Sequence, residues 1–465
     1  MGNELLLVSI ASNSHRNIGC LSLYATAVDA GISTNLIFIP RESEYSQDEF
    51  CAFLQKNNFK IVGISLTTRD FNFARKITAH IRGSLPGAHI VWGGIHPTSK
   101  PQECLHYADS VCLGEAEVSL TQLIKALRNK SGISHIPGIG IKAGGADTIN
   151  PPQLISDLNL LPFPRFDFKN FYVLDACGLH LFSRQDYVKY SRHNGDGYVL
   201  LSSRSCPHHC SYCINSFLNK LYNGSPARLY RRRSVDNVLA EIKHALATIP
   251  GIGFVNFMDD HFLTDKKWTG EFCEKYARLI NLPFIIRATP VAIINTEIPL
   301  LKKAGLRTVQ MGIQSGSENT HKNIFHRAFN KDDVLQAAGI LNSNNLVCLF
   351  DFIIENDFET DEDRDKTIEL MLQLPKPYIA NIFAMTVFPK TDLESMYKER
   401  KMTPRIDPYA SNYFDFKKED FYYQLASLIP LIDGAEARRI FQNRNDSITR
   451  AYLKELYLEK TRSDS

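Results

Sequence analysis

The chain has 465 residues, of which 44% are apolar and 22% are charged, and its formal net charge at pH 7 is +3. The length exceeds that of one ordinary core and predicts two or three domains, while the composition is that of a folded globular protein and excludes long disorder. The near-neutral charge gives no electrostatic reason to expect a nucleic-acid partner, and no apolar run is long enough to predict a membrane span.

Residues 1–130 alternate short apolar runs with amphipathic stretches whose apolar residues recur about every 3.6 positions. The predicted strands are ELLLVSI, STNLIFI, KIVGISL and AHIVWGG, with helical stretches such as QDEFCAFLQKN between them. This alternation is typical of repeated βαβ units and predicts a doubly wound, Rossmann-like domain around a parallel sheet. We expect its ligand in the loops at the carboxyl ends of the strands.

Residues 131–195 lose this periodicity and accumulate Pro and Gly, which predicts a connecting region with at most a small hairpin. A second βα series covers residues 196–395 and predicts a (β/α)6 partial TIM barrel, whose chemistry lies in the loops that follow its strands. Thr360 with Asp363 three residues later predicts a capping box at the start of one barrel helix. Residues 396–465 are predicted to form a small helical C-terminal region that covers the barrel mouth or makes a dimer contact.

The six strands predicted for the barrel are YVLLSS (198–203), GFVNFMDD (253–260), FIIRAT (284–289), RTVQMGI (307–313), VCLFDFII (347–354) and ANIFAMTVF (380–388).

Three of the ten cysteines, Cys206, Cys210 and Cys213, follow the first barrel strand in the stretch SRSCPHHCSYCIN. Thiolates at this spacing suit zinc or an iron–sulfur cluster. A structural zinc site needs a fourth ligand, and the candidates His208 and His209 lie inside the loop, where they are poorly placed to close a tetrahedron. Three thiolates on a four-iron cluster leave one iron open to a substrate or cofactor, and we favour this catalytic arrangement.

The other seven cysteines are scattered singly, which is not the dense pattern of a disulfide-rich secreted domain. The first residues also lack a charged leader and a cleavage site. Both features predict a reducing compartment, and we expect a cytoplasmic protein.

The stretch SRSCPHHCSYC resembles the cluster motif of the radical S-adenosylmethionine (radical SAM) superfamily. In that family three cysteines hold a 4Fe-4S cluster, whose fourth iron is chelated by the amine and carboxylate of S-adenosylmethionine (SAM). FMDDHFLTD (257–265) resembles the second-strand segment with paired aspartates, and MGIQSGSE (311–318) resembles the fourth-strand cofactor segment. IIENDFETDED (353–363) occupies the place of a Gly-x-Pro-Gly-Glu-Thr segment. The resemblance implies metal ligation by Cys206, Cys210 and Cys213, cofactor contacts from Tyr212, Gln314, Ser315, Glu318 and Glu359, and catalytic roles for Asp259 and Asp260.

Together with the first domain, the pattern is similar to the subgroup that carries an N-terminal cobalamin-binding domain. VGISLTT (62–68), VWGGIHPTSKPQECL (91–105) and VCLGEAE (111–117) match the three binding-loop segments of that subgroup. The resemblance implies cobalamin contacts from Ser65, Thr67, Thr68, Gly93, Gly94, His96, Pro97, Thr98, Gly114 and Glu115.

Three departures from the family pattern limit this comparison. Gln314 stands where related sequences commonly have Glu, and residues 356–358 replace a Gly and a Pro while Glu359 and Thr360 remain. The first domain lacks the Asp-x-His-x-x-Gly signature that supplies a histidine to cobalt. His96 is an alternative cobalt ligand, but we favour a loop histidine that shapes the cobalamin pocket.

Several other side chains allow two interpretations. Asp260 has either a site role or a capping role at the next helix. The run RLYRRRS (228–234) either binds an anionic substrate or, as we favour, begins a solvated helix. Glu318 either contacts the cofactor or pairs with a neighbouring base.

The family chemistry is reductive cleavage of SAM at the cluster to a 5′-deoxyadenosyl radical, which removes hydrogen from an unactivated carbon. In the cobalamin subgroup the commonest outcome is methylation, so we predict a methyltransferase that acts on carbon or phosphorus of a small molecule, such as a natural-product or lipid intermediate. The alternatives are a cyclase, ring-contraction or rearrangement enzyme with the same cofactors, and a non-catalytic metal-binding module. A one-electron reductant such as flavodoxin or ferredoxin is the expected protein partner.

Overall fold

The computed structural model describes residues 3–11, 17–40, 44–143, 146–191, 195–223, 229–410 and 419–461. The chain divides into two compact units. Unit 1 comprises residues 1–203 and 217–256, and unit 2 comprises residues 204–216 and 257–465.

A nine-stranded sheet forms the centre of unit 1. Its strands are Leu5–Ala11 (β1), Thr34–Pro40 (β2), Ile61–Ser65 (β3), His89–Gly93 (β4), Ser110–Cys112 (β5), Ile139–Ala143 (β6), Ala146–Ile149 (β7), Phe171–Asp175 (β8) and Gly178–Leu181 (β9). Their spatial order is β7-β6-β5-β4-β3-β1-β2-β8-β9. The pairs among β1 to β5 and the pair β2–β8 are parallel, whereas β6, β7 and β9 run antiparallel to their neighbours. The strand order reverses between β1 and β3, which is where ligands of such sheets bind.

The helices of this part of the chain begin with Ile18–Asp29 (α1), Gln47–Asn57 (α2) and Phe71–Ser84 (α3). They continue with Ile95–Ser99 (α4), Pro101–Cys104 (α5), Glu117–Arg128 (α6), Arg184–Lys189 (α7), Ile214–Leu221 (α8) and Val235–Thr248 (α9). Leu5, Leu6 and Val8 of β1 are fully buried. Such unbroken apolar strands are expected in a parallel sheet that is covered on both faces, so the predicted doubly wound fold is confirmed.

Residues 131–195 contribute more regular structure than a connecting region with one hairpin. They form β6 to β9, which pair as two antiparallel hairpins at opposite edges of the first sheet. Each of these strands has only four or five residues. An alternating pattern over so few positions is too short to distinguish a strand from a loop in the sequence alone.

A second sheet has six strands in the order in which they follow one another along the chain. They are Tyr198–Leu200 (β10), Val255–Phe257 (β13), Phe284–Ala288 (β14), Leu306–Gln314 (β15), Val347–Glu355 (β16) and Ile379–Ala384 (β17). The neighbours from β14 to β17 pair in parallel. Two short strands, Ser203–Arg204 (β11) and Arg231–Arg232 (β12), form a separate pair. The predicted six-stranded parallel architecture is therefore confirmed.

The helices of unit 2 alternate with these strands and continue beyond them. They are Lys266–Leu279 (α10), Pro290–Ile294 (α11), Ile298–Ala304 (α12), Lys331–Ser343 (α13), Asp361–Met371 (α14), Asp392–Glu399 (α15), Phe421–Leu428 (α16), Gly434–Gln442 (α17) and Ser447–Thr461 (α18). The predicted capping box of Thr360 and Asp363 is present at the start of α14. Of the C-terminal helices, α16 packs against β16, β17 and α14.

No helix in the described ranges combines the length and the apolar character that crossing a membrane requires.

Candidate functional site

The three clustered cysteines lie in the loop between β11 and α8, and all three are half-buried. The loop turns tightly, because the amide of Cys213 donates to the carbonyl of Cys210 at 3.1 Å. Burial raises the pKa of the Cys206 and Cys213 thiols to about 12. The side-chain amide of Asn215 lies 3.7 Å from the Cys213 sulfur, and backbone N–H groups of His208 and Asn215 point at the sulfurs of Cys206 and Cys213. N–H donors around sulfur favour a metal-bound thiolate over a thiol, so this loop fits a cluster.

The two histidines of the loop have other contacts. His209 pairs with Asp392 at 2.9 Å, and the ring of His208 lies 4.9 Å from that of His261. Within the described ranges, no group of three or more His, Cys, Asp or Glu side chains converges on a single metal ion. The thiolates of a cluster bind different irons and need not converge in this way. Ligation by the three cysteines stays a prediction.

Tyr212 stands between the last two cysteines of the loop. Its ring packs edge-on against Phe325 at 4.9 Å, and its hydroxyl accepts a hydrogen bond from Arg327 at 2.7 Å. Arg327 also donates to the carbonyl of Gly312 at 2.9 Å and lies over the ring of Phe329. The positive charge interacts electrostatically with the neighbouring cysteine thiols. Sequence reasoning missed Arg327, because it belongs to no motif and contacts Tyr212 across 115 residues of the chain.

The two predicted catalytic aspartates have different environments beyond β13. Asp259 is completely buried, whereas Asp260 is exposed and accepts a hydrogen bond from the side-chain amide of Asn215 at 2.9 Å. The alternative that Asp260 caps the next helix is wrong, because Asp265 accepts the first free amides of α10. Asp260 therefore lies beside the cysteine loop, and the catalytic roles of both aspartates stay predictions.

The predicted cofactor residues at the end of β15 and just after it have different environments. Gln314 ends the strand with a positive φ of 76°. Its side chain folds back, since a Cβ added to Gly312 would meet the Gln314 amide at 2.8 Å. Glu318 is exposed, and the described residues offer it no ion pair, so the pairing alternative is not supported. Ser315 is buried and its hydroxyl donates to Glu359 at 2.6 Å.

Glu359 belongs to a compact polar network at the start of α14. Thr367 accepts a hydrogen bond from the amide of Gly316 at 2.8 Å and lies 3.3 Å from the Ser315 hydroxyl. Burial raises the pKa of Glu359 to about 7, although the bond from Ser315 opposes the shift. The network holds Ser315 and Glu359, two predicted cofactor residues, against one another.

The loops after β3 and β4 are joined through a buried histidine. The ring of His96 is fully buried against Phe71, with ring centroids 4.8 Å apart, and its Nδ1 lies 3.2 Å from the hydroxyl of Thr68. Burial lowers the pKa of His96 to about 4, so the ring is neutral at physiological pH. The exposed Thr67 begins the preceding turn, and both its amide and its hydroxyl donate to Asp70. A ring enclosed in this way supports the loop-shaping role that we favour for His96.

The loops after β4 and β5 are joined through Thr98. Its hydroxyl donates to the carbonyl of Gly94 at 2.7 Å and accepts the amide of Gly114 at 3.0 Å. Gly94 has a φ of 99°, and an added Cβ would lie 2.7 Å from the carbonyl oxygen of Leu66. Gly93 precedes it at the strand end, Pro97 is buried in α4, and Ser65 ends β3. The predicted cobalamin residues therefore lie along three neighbouring strand ends of one sheet.

Two family models match this chain. The model described as "Radical SAM superfamily" matches residues 200–371, and the model described as "B12 binding domain" matches residues 5–124. The chain belongs to the radical SAM superfamily and carries an N-terminal B12-binding domain. These two domains imply a 4Fe-4S cluster, SAM and cobalamin as cofactors, and a radical SAM enzyme requires a substrate and a source of electrons.

Two curated proteins are similar to this radical SAM enzyme. It is 27% identical over 358 residues to the anaerobic magnesium-protoporphyrin IX monomethyl ester cyclase of Synechocystis, a match that covers 75% of this chain and 66% of the cyclase. It is 25% identical over 356 residues to the "uncharacterized methyltransferase PH0819" of Pyrococcus horikoshii, which covers 74% of this chain and 71% of that protein. The match to the cyclase thus spans slightly less than two thirds of that relative.

Two solved structures have a similar fold. The radical SAM methyltransferase TsrM of Kitasatospora setae superposes with a TM-score of 0.69 at 16% identity, covering 85% of this chain and 76% of TsrM. The cobalamin-dependent radical SAM enzyme OxsB superposes with a TM-score of 0.69 at 15% identity, covering 97% of this chain and 72% of OxsB. At sequence identities of 15 to 16%, the similarity to these two structures establishes the fold of the chain and nothing more.

In this radical SAM enzyme, the carboxylate of Glu115 is engaged within unit 1. Arg231 donates to both of its oxygens, at 2.7 and 2.8 Å, and also to the carbonyl of Ile155. Glu115 in turn accepts the amide of Ile155 at 3.0 Å, and its own amide donates to the hydroxyl of Tyr222 at 3.0 Å. The contacts of Glu115 therefore fix the loop after β5. The cobalamin contact predicted for Glu115 stays a prediction.

Of the other arginines of the run at 228–234, Arg228 lies outside the described residues, and Arg232 and Arg233 are held by neighbours. Arg233 is buried and pairs with Glu241, and Arg232 donates to the hydroxyl of Ser202 at 3.3 Å. The favoured interpretation of a solvated helix start is therefore wrong for these residues. They stabilise the fold through hydrogen bonds that sequence spacing does not reveal.

We expect Glu359→Gln to change the pH dependence of stability. The folded pKa of about 7 exceeds the ordinary value of 4.5, so the folded protein retains a proton that the unfolded chain releases between these values. The wild type should thus lose stability as the pH rises from 5 to 8, by about 2 kcal/mol relative to the glutamine variant. Thermal unfolding midpoints at both pH values measure this difference.

The matched control is Glu369→Gln, which removes an exposed carboxylate from α14, the helix that follows Glu359. The difference between the unfolding midpoints of this variant and the wild type should be the same at both pH values. The expected pH dependence would be contradicted if the unfolding midpoint of Glu359→Gln changed between the two pH values by as much as that of the wild type.

Proposed function

We propose that this radical SAM enzyme is a cobalamin-dependent methyltransferase that methylates an unactivated carbon, or phosphorus, of a small molecule. The observation that carries the proposal is the relationship to the methyltransferase of P. horikoshii, 25% identical over 74% of this chain. The fold shared with the methyltransferase TsrM is consistent with it.

The cofactors supply the hydrogen-abstracting and methyl-donating chemistry when they are bound, and the protein supplies binding, orientation and shielding. Cys206, Cys210 and Cys213 would hold the cluster. The strand-end loops joined by His96 and Thr98 would hold cobalamin.

The residues around the cysteine loop have positioning roles in this proposal. Arg327 fixes the hydroxyl of Tyr212 and places a positive charge beside the thiols. Glu359, with one oxygen bound to the Ser315 hydroxyl and a pKa of about 7, can hold a proton or release it near neutral pH. In this proposal Arg327 would orient Tyr212 and Glu359 would orient Ser315, and neither would take part in bond cleavage.

Cyclisation or rearrangement with the same cofactors is the second candidate. The specific observation in its favour is the 27% identity to the Synechocystis cyclase over 75% of this chain. The two candidates differ in whether SAM also serves as a methyl donor.

A single-turnover assay distinguishes them without knowledge of the substrate. The protein is reconstituted anaerobically with cluster and cobalamin, reduced, and mixed with excess SAM. A methyltransferase should release about one equivalent of S-adenosylhomocysteine per bound cobalamin, because the reduced cofactor is methylated by SAM. Formation of 5′-deoxyadenosine alone would contradict methyl transfer and favour the second candidate. Protein reconstituted without cobalamin is the control and should release no S-adenosylhomocysteine.

A further inference from the structure

Four polar side chains form a hydrogen-bonded row across neighbouring strands of the second sheet. Arg287 of β14 donates through Nε to Oε1 of Gln310 on β15, at 3.0 Å. Gln310 donates through Nε2 to both oxygens of Asp351 on β16, at 3.1 and 2.9 Å. Asn381 of β17 donates to Asp351 at 2.8 Å. We call Arg287, Gln310, Asp351 and Asn381 the polar row.

The polar row lies on one face of the sheet. Along β14 and β15, fully buried residues such as Ile286 and Val309 alternate with half-buried ones such as Arg287 and Gln310. Successive side chains of a strand point to opposite faces, so the helices pack against the apolar face and the polar row occupies the other. The strand register places Arg287 opposite Gln310 and Asp351 opposite Asn381. In barrels of this kind the active site lies at the carboxyl ends of the strands, and Arg287 is the last residue but one of β14.

Within the described ranges, Arg287 is a half-buried charge that has no directly bonded counterion. Its other contact is the carbonyl of Met258, which accepts from Nη1 at 3.3 Å. Among the described residues no carboxylate lies within ion-pair distance of it; Asp259, Asp260 and Asp351 act on it electrostatically from farther away. Burial lowers the pKa of Arg287 and raises that of Asp351, so neither charge is fully compensated. Buried charges in proteins are normally paired. Nη2 of Arg287 donates to none of the described residues, and a guanidinium edge of this kind is suited to an oxyanion.

The direction of the hydrogen bonds gives the polar row two different ends. The Gln310 amide is oriented by both neighbours, because its oxygen accepts from Arg287 and its nitrogen donates to Asp351. Nη1 and Nη2 of Arg287 are therefore the donor end. The carboxylate of Asp351 and Oδ1 of Asn381 are the acceptor end. A ligand that matches both ends carries an oxyanion and a hydrogen-bond donor such as a hydroxyl or an ammonium group.

We propose that the polar row binds the substrate, with Arg287 holding a carboxylate or phosphate of the substrate and Asp351 with Asn381 accepting a hydrogen bond from the same molecule. This inference rests on the proposed function and narrows its substrate class to polar, oxyanion-bearing small molecules.

The test uses the anaerobically reconstituted protein and 32P-labelled inorganic phosphate in equilibrium dialysis. We expect saturable binding that acetate displaces, because both anions present the oxygens that a guanidinium recognises. Arg287→Gln should weaken phosphate binding by at least about tenfold. Arg287→Lys should weaken it only a few-fold, since lysine keeps the charge and loses the planar fork. The matched control is Arg307→Gln on β15, which removes an exposed arginine and should bind as the wild type does.

The dissociation constant for SAM is measured on the same samples. A Gln variant that binds phosphate as tightly as the wild type would overturn the inference, and so would a Lys variant that binds none while its cluster content is normal. Weakened SAM binding with unchanged phosphate binding would assign Arg287 to the cofactor instead and would also overturn it. Phosphate binding does not depend on methyl transfer, so failure here leaves the single-turnover test of the proposed function intact.

Discussion

Replacing Cys213 with alanine is expected to abolish cluster assembly and to reduce 5′-deoxyadenosine formation to the level of a protein-free reaction. The cluster depends on three thiolates, and loss of one leaves two irons without a protein ligand instead of one. The loop has no replacement thiol, since the other described cysteines are separate from it in the chain. Iron content, the visible absorbance of the cluster and product analysis after addition of SAM and dithionite measure the effect.

Cys177→Ala is the matched control for the loss of a thiol. Cys177 is exposed and lies in unit 1, outside the cysteine loop. This variant should retain the iron content and the SAM cleavage of the wild type. Normal iron content and cleavage in Cys213→Ala would contradict the assignment of the cysteine loop.

The second large effect is expected from Gly94→Ala in the loop after β4. The φ of 99° and ψ of −168° at Gly94 lie in a region that is essentially restricted to glycine. A methyl group there would also press against the backbone of Leu66. We expect a loss of about 3 kcal/mol of stability in the first domain and at least about a tenfold loss of cobalamin affinity. Cobalamin absorbance retained after gel filtration and the thermal unfolding midpoint measure the two effects.

Gly83→Ala provides the comparison at a helical glycine. Gly83 is exposed near the end of α3, and no atom of the described residues would lie within 4 Å of an added Cβ. Alanine there should leave cobalamin binding unchanged and stabilise the helix by up to about 1 kcal/mol. If Gly94→Ala bound cobalamin as tightly as Gly83→Ala, the loop after β4 would not be part of the cobalamin site.

Local sequence patterns predicted most of the fold because buried parallel strands and capped helices leave local signals. The run ELLLVSI predicted β1, and Thr360 with Asp363 predicted the start of α14. The two hairpins of residues 131–195 were not predicted, because their strands are short and pair at the edges of the sheet. Their existence depends on partners far away in the sequence, such as β5 for β6 and β2 for β8.

Some parts of the candidate site could be predicted from the sequence and others could not. The cysteine loop and the glycine-containing loops have recognisable spacing, so the sequence identified them. Arg327, the polar row and the pair of Glu115 with Arg231 depend on strand register and on contacts between distant segments. No periodicity encodes such contacts, and only the folded chain brings these residues together.

The most direct test of the central claim is the metal content of the anaerobically reconstituted, desalted chain, measured by elemental analysis. A cobalamin-binding radical SAM enzyme should contain about four irons and one cobalt per chain. Cys213→Ala should lose the iron and keep the cobalt, whereas Gly94→Ala should lose the cobalt and keep the iron. A wild-type chain that retained neither metal, or that held one zinc in place of the irons, would contradict the account.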